Sequence, residues 1–255
     1  MIDTHCHIYD ATAFPHVEST IREATEAGVA KLVAIGIDSE TSGRAVQLAE
    51  IHPEVFATVG WHPTHAGDYK TAELSKLRHW LSHPKVLGVG EIGFDFHWDY
   101  STPAQQEVCF HEQYELALEL DYPMVYHCRE AMSHMLERLD RLPPAKAVFH
   151  CFSGNPEEAQ RIFEMGGYVG VDGPLTYPKA IELREIIQSA PRDRVVIETD
   201  APYLSPQKFR GKPNSPALVA HVLAKLAEIW EISVEEADSI TTSNAVTLFP
   251  KLAAK

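Results

Sequence analysis

A chain of 255 residues with 45% hydrophobic content can bury one large core; that length suits a single α/β barrel as well as two smaller domains, and one domain over 1–255 is expected. Lysine and arginine number 22 against 36 acidic residues, a formal charge of −14, which argues against a basic platform that grips nucleic acid by displacing counterions, though not against a nucleic-acid enzyme charged by bound metal. No apolar run approaches the roughly 18 residues of a membrane span, no basic-then-apolar signal segment opens the chain, and four cysteines make no disulfide framework, so a reduced, cytoplasmic protein with no membrane contact is expected.

The chain opens on a strand at 2–5. Helical spacing over 17–27, closed by Gly28, leads to a β-branched run at 31–37, and the alternation then repeats: helix 40–51, strand 55–59, helix 72–81, strand 86–91. A helix over 103–120 precedes a strand at 123–127, then helix 131–141, strand 147–150, helix 156–165, strand 168–171, helix 178–189 and strand 195–199. Eight strands, nearly all without polar alternation and each followed by a helix, predict a closed parallel barrel buried on both faces, the (β/α)8 TIM barrel. Four prolines between 201 and 216 predict a loop over one barrel mouth, and helices at 216–230 and 233–248 close the chain. No internal repeat, low-complexity stretch or interdomain linker is visible.

In such a barrel the chemistry sits at the C-terminal ends of the strands. There the chain places His5 and His7 on the first strand, Glu91 on the fourth, His127 on the fifth, His150 on the sixth and Asp200 after the eighth. Strand alternation puts His5 and His7 on one face and Cys6 on the other. Four histidines and two carboxylates converging at one mouth point to metal, since burying that much polarity otherwise leaves groups unpaired. Six ligands exceed what one tetrahedral ion takes, so two divalent ions roughly 3.5–4 Å apart are expected. Glu91 is the natural bridge; His5, His7 and Asp200 suit one ion, His127 and His150 the other. A hydroxide between the ions is the expected nucleophile, and Asp200 is also a candidate general base. Histidine-rich ligation favours Zn²⁺ or Mn²⁺ over Mg²⁺.

Cys6, Cys128 and Cys151 adjoin proposed ligands, but strand alternation turns them outward, and packing against the outer helices is the expectation. His62, Arg129 and Arg210, the last followed by Gly211-Lys212, are candidates for holding an anionic substrate group, against a structural or merely solvated role. Trp61, Phe94 and Tyr203 are open to base stacking or to packing. His65, His97 and His111 receive no role.

Eight ordered motifs run almost the length of the chain: IDTHCH at 2–7, GWHP at 60–63, GEIGFDF at 90–96, YHCREA at 126–131, FHCFSG at 149–154, ETDAPYLSP at 198–206, RGKPN at 210–214 and TTSNAVTLF at 241–249. The sequence thereby resembles the TatD-type metal-dependent hydrolases. That resemblance implies a (β/α)8 fold, a two-metal site at His5, His7, Glu91, His127, His150 and Asp200, and a divalent-metal-dependent 3′ to 5′ exodeoxyribonuclease acting on DNA, as single strands or at 3′ ends. It also brings Mg²⁺ in as a candidate ion. Ser215 departs from the pattern, standing where similar proteins often carry an acid. No stable protein partner is expected. The same site chemistry leaves open a hydrolase of an amide, a lactone or a D-aminoacyl-tRNA ester, and, outside enzymes, a metal-dependent scaffold.

Overall fold

The computed structural model describes residues 1–253; the last two residues of the expected 1–255 domain lie outside the described residues. Eight short runs form β1 (Ile2–Cys6), β2 (Lys31–Ile35), β3 (Val55–Val59), β4 (Val86–Asp95), β5 (Met124–Arg129), β6 (Ala147–Phe149), β7 (Tyr168–Val171) and β8 (Val195–Ile197). They pair in chain order, every neighbour parallel. The ring closes where the Asp200 amide donates to the His5 carbonyl at 2.9 Å and the His7 amide to the Ala201 carbonyl at 2.7 Å. The (β/α)8 barrel expected from the alternation is therefore the fold.

Between the strands run α1 (Val17–Glu26), α2 (Ser39–Ile51), α3 (Leu74–Leu81), α4 (Pro103–Glu119), α5 (Met132–Leu139), α6 (Pro156–Glu164) and α7 (Ile181–Ser189), with α8 (Val219–Trp230) and α9 (Val234–Leu248) after β8. Asp38, Thr102 and Asn155 start α2, α4 and α6 with capping boxes, satisfying amides that the first turn leaves without partners. Helices expected from 72 and 178 begin later, at Leu74 and Ile181, and β4 runs four residues past its expected end at 91. No helix among the described residues is long and apolar enough to cross a membrane.

Two apolar layers place the site. Val33, Ile35, Phe56, Leu87, Val125, Val148 and Val196 fill the barrel interior, sealed at its N-terminal end by Leu248, Phe249 and Leu252. Their strand neighbours Met124, Tyr126, Ala147, Phe149, Val195 and Ile197 face the helices. The side-chain period of two then fixes what comes next inward: His127 above Val125, His150 above Val148, Glu198 above Val196.

Candidate metal centre

Two irregular strands complete the inward set. Against β2, Asp3 pairs with Leu32 but Cys6 with Ala34, so β1 carries one extra residue between them. This bulge lets Ile2 face the interior while Cys6 faces the helices, its thiol donating to the Val33 carbonyl at 3.4 Å, and it aims His5 and His7 at the mouth. Buried Asp3 braces it, accepting from the His5 amide at 3.3 Å, the Thr199 amide at 2.9 Å and the Thr199 hydroxyl at 2.7 Å. In β4 a second extra residue falls between Val89 and Ile92, at the Gly90–Glu91 cis peptide, and swings Glu91 inward. Gly93 lets β4 close on β5: its φ is +145°, and a Cβ there would lie 2.0 Å from the His127 carbonyl oxygen. Glu130, Cys151 and Asp200, directly beyond or near the strand ends, hold left-handed backbone without being glycine, a costly conformation that clusters at functional sites.

Glu91 sits at the centre. Its Oε1 lies 2.6 Å from His150 Nε2 and 2.8 Å from His127 Nδ1, while Oε2 lies 3.6 Å from His5 Nε2. Asp200 Oδ1 stands 3.3 Å from His7 Nε2 and 3.6 Å from His5 Nε2. The six residues therefore come together in two groups, His5/His7/Asp200 and His127/His150, with one Glu91 oxygen turned toward each. His62, expected at the substrate, also reaches this cluster: its Nδ1 accepts from the Thr64 amide at 3.1 Å, leaving Nε2 3.7 Å from Glu91 Oε1.

Two carboxylates join that the sequence reading did not select. Asp95 Oδ2 is 3.0 Å from His127 Nε2, and Glu198 Oε1 is 3.6 Å from His150 Nδ1 while accepting the Cys151 amide at 2.6 Å. Asp95 holds the far nitrogen of a candidate ligand, the arrangement that fixes a metal-binding imidazole's orientation, while Glu198 faces the far nitrogen of His150 beyond hydrogen-bond distance. The signal for Asp95 was the two-residue step from Glu91 through Gly93, hidden by ending the strand at 91. Glu198 was visible as the inward position after Val196. Gly170 makes room for it, since a Cβ there would meet the Glu198 carboxylate at 2.5 Å.

Burial opposes ionisation of Glu91, but His150, His62 and His5, with the His127 hydrogen bond, outweigh it and hold the carboxyl well below its ordinary range. Asp200 is likewise held low against burial, chiefly by His7. Burial and then His150 push His5 down, and burial with His127 pushes His62 well down; with the His62 Nδ1 lone pair taken by the Thr64 amide, its Nε2–H faces Glu91. Burial would also lower His7, His127 and His150; Asp200 lifts the first, Asp95 and Glu91 the second, and Glu91 and Glu198 the third.

Among the described residues, both ring nitrogens of His5 and Nδ1 of His150 are buried with no hydrogen-bond partner. Leaving polar atoms so is costly in a protein interior. Imidazoles facing carboxylates fit divalent metal, and the ligand atoms of His5, His7 and Asp200 lie within 4.8 Å of one another.

The remaining candidates divide. Arg129 lines a cleft of about 690 Å³ over the centre, with Tyr203 and His65 also in its walls. Arg210 is not among the residues lining it; its guanidinium lies 4.2 Å from the ring centre of Tyr177, within cation–π reach. Phe94 is wholly buried against Phe110, and Trp61 packs on Tyr69, which removes both as stacking surfaces. Cys6 and Cys128 face the helices as alternation requires. Cys151 does not follow that rule, because β6 ends at Phe149; its thiol instead meets Asp172, and burial keeps it protonated. His97 and His111 pair with Glu130 and Glu115 on the surface.

The family model of TatD related DNases matches residues 2–250. An uncharacterized metal-dependent hydrolase of Bacillus subtilis, YabD, is 36% identical, the match covering 98% of both chains. A 3′-5′ ssDNA/RNA exonuclease TatD of Cronobacter turicensis is 36% identical over 92% of each. The crystal structure of the Escherichia coli TatD homologue YjjV superposes with a TM-score of 0.92 at 33% identity over 98% of both chains. With its barrel, its histidine–carboxylate mouth and these relatives, the chain belongs to the TatD family of metal-dependent hydrolases.

Proposed function

We propose that this hydrolase cleaves phosphodiester bonds in DNA, removing nucleotides from the 3′ end of single strands, with two divalent ions (Zn²⁺, Mn²⁺ or Mg²⁺). The observation that carries the reading is the division of Glu91, one oxygen beside His127 and His150 and the other beside His5. The Cronobacter relative's name as a 3′-5′ ssDNA/RNA exonuclease supports nucleic acid as the substrate.

His5, His7 and Asp200 would hold one ion and His127 with His150 the other, Glu91 serving both. Bound there, such ions polarise a phosphoryl oxygen and bring the pKa of water toward about 7. Asp200, ionised at the cleft floor with Oδ1 turned to His5 and His7, takes the proton of the attacking water on its other carboxylate oxygen. Asp95 keeps His127 in orientation, and Glu198 places a carboxylate 3.6 Å from His150 Nδ1. Arg129, in the cleft wall, supplies charge-assisted hydrogen bonds to the phosphate, and His62 closes the site on the Glu91 side. The 1–253 barrel acts as one catalytic domain, in the cytoplasm and without a stable partner; its four cysteines are free.

Single-stranded oligonucleotides labelled at either the 3′ or the 5′ end test the reading. With Mg²⁺, Mn²⁺ or Zn²⁺, the 3′ label leaves first as a mononucleotide while the 5′-labelled strand shortens stepwise. Intact strands under all three metals would sink it.

A further inference from the structure

Ten large apolar side chains are exposed among the described residues, and five of them, Phe96, Trp98, Tyr100, Tyr203 and Leu204, lie in the two loops that follow β4 and β8. Four of the five, Trp98, Tyr100, Tyr203 and Leu204, line the cleft over the centre, and apolar area gathered around a cleft marks a binding surface rather than chance exposure. Trp98 and Tyr100 are the organised part. Their rings stack, centres 5.6 Å apart and planes within 12°, yet they are 43% and 66% exposed, so the stack stands at the cleft wall instead of in a core. The Arg129 guanidinium lies 5.6 Å from the Trp98 ring centre.

The loop that carries them is held at both ends. Asp95 Oδ1 accepts the His97 and Trp98 amides, both at 3.0 Å, and the Phe96 amide donates to the Arg129 carbonyl at 3.0 Å. Gln106 Nε2 donates to the Asp95 carbonyl at 2.8 Å, and the Ser101 hydroxyl donates to the Pro63 carbonyl at 2.5 Å. The other oxygen of Asp95 faces His127 at 3.0 Å. One carboxylate thus holds a candidate metal ligand and the aromatic pair in a single register. A surface already ordered in this way loses little conformational freedom on binding.

We infer that Trp98 and Tyr100 are a stacking platform for unpaired nucleobases, with Arg129 taking the adjoining phosphate. The inference rests on the nucleic-acid reading above and adds to it the residues that select single strands. Flat rings interleaved with a cation match the alternation of base and phosphate along a single strand, and stacking tolerates any base because each has a π face. A duplex keeps its base faces covered and offers the platform nothing. In a chain of net charge −14, a cation set among aromatic rings in the cleft wall also favours a phosphodiester over an uncharged apolar guest.

Fluorescence anisotropy with 5′-labelled ligands tests it, using the metal-depleted full-length protein so that nothing is cleaved. Three ligands are compared: a thymidine hexanucleotide, an abasic strand of the same length and a blunt duplex. The thymidine strand is expected to bind at least about ten-fold tighter than either of the others, a difference of ~1.4 kcal/mol. Trp98→Ala and Tyr100→Ala each weaken it by about five-fold or more, Trp98→Phe and Tyr100→Phe restore most of that, and the abasic strand is indifferent to all four changes. Equal binding of the abasic and thymidine strands, or alanine variants that bind as wild type, overturns the platform. Because both rings are exposed, thermal unfolding within a few degrees of wild type is the control for folding. The two readings fail separately. Platform binding without nucleotide release on adding metal removes the nuclease and keeps the platform; release that ignores Trp98 and Tyr100 removes the platform and keeps the nuclease.

Discussion

The two ends of the barrel use opposite rules for their polar atoms. At the N-terminal end three lysines reach in, and each finds protein oxygen. Lys31 donates to the Leu252 carbonyl; Lys85 donates to the Ala49 and His52 carbonyls at 2.7 and 2.5 Å; Lys251 donates to the Val86 carbonyl at 2.8 Å and to the Tyr122 hydroxyl at 2.8 Å. Lys31 and Lys85 also lie about 5.0 and 5.1 Å from the Phe56 ring centre, over the apolar plug made by Leu248, Phe249 and Leu252. At the C-terminal end, among the described residues, nitrogens of His5 and His150 and an oxygen of Asp172 are buried with no hydrogen-bond partner. A satisfied end contributes stability; an unsatisfied end, costly in the free protein, is poised for a ligand that supplies what is missing.

The sharpest way to break this contrast is at the mouth. Asp200→Asn removes the ionised oxygen beside His5 and His7, and nucleotide release under single-turnover conditions is expected to fall by roughly 10²–10⁴-fold with little change in thermal stability. Release within a few-fold of wild type would remove Asp200 from the chemistry. Asp95→Asn leaves His127 in place but loosens it, and Glu198→Gln removes the charge beside His150. Competition with a chromogenic chelator should show metal affinity down by about 10–100-fold in each. The opposite end should respond the opposite way. Lys251→Met strands the Val86 and His83 carbonyls, and urea unfolding is expected to show a loss of about 1–3 kcal/mol with metal affinity unchanged. Smallest of all is Arg210→Ala, because its guanidinium rests on Tyr177 outside the cleft: single-strand binding should stay within about two-fold, whereas Arg129→Ala weakens it several-fold more.

Much of this was legible in the sequence. The alternation of short apolar runs with helical spacing revealed all eight strands, and the period of two carries inward from Val125 to His127 because β5 is regular there. What escaped is what local patterns do not encode. The bulges in β1 and β4 depend on register against β2 and β5, so the same alternation that paired His5 with His7 says nothing of why Ile2 and Cys6 part company. Gly90 and Gly93 read as the end of a strand, whereas they let β4 continue beside β5 as far as Asp95. Arg210 and Phe94 were placed by chain proximity to the mouth, but one found an aromatic ring and the other the core.

A mouth built for two ions divided by Glu91 has a stoichiometry that can be counted. Metal stoichiometry by mass spectrometry of the wild-type protein and of a His127→Ala/His150→Ala variant measures that division directly. Two tightly held divalent ions per chain, reduced to one when both histidines are gone, is the result the account predicts. A wild-type chain that binds no divalent ion tightly, or a double variant that keeps the same number as wild type, would contradict it.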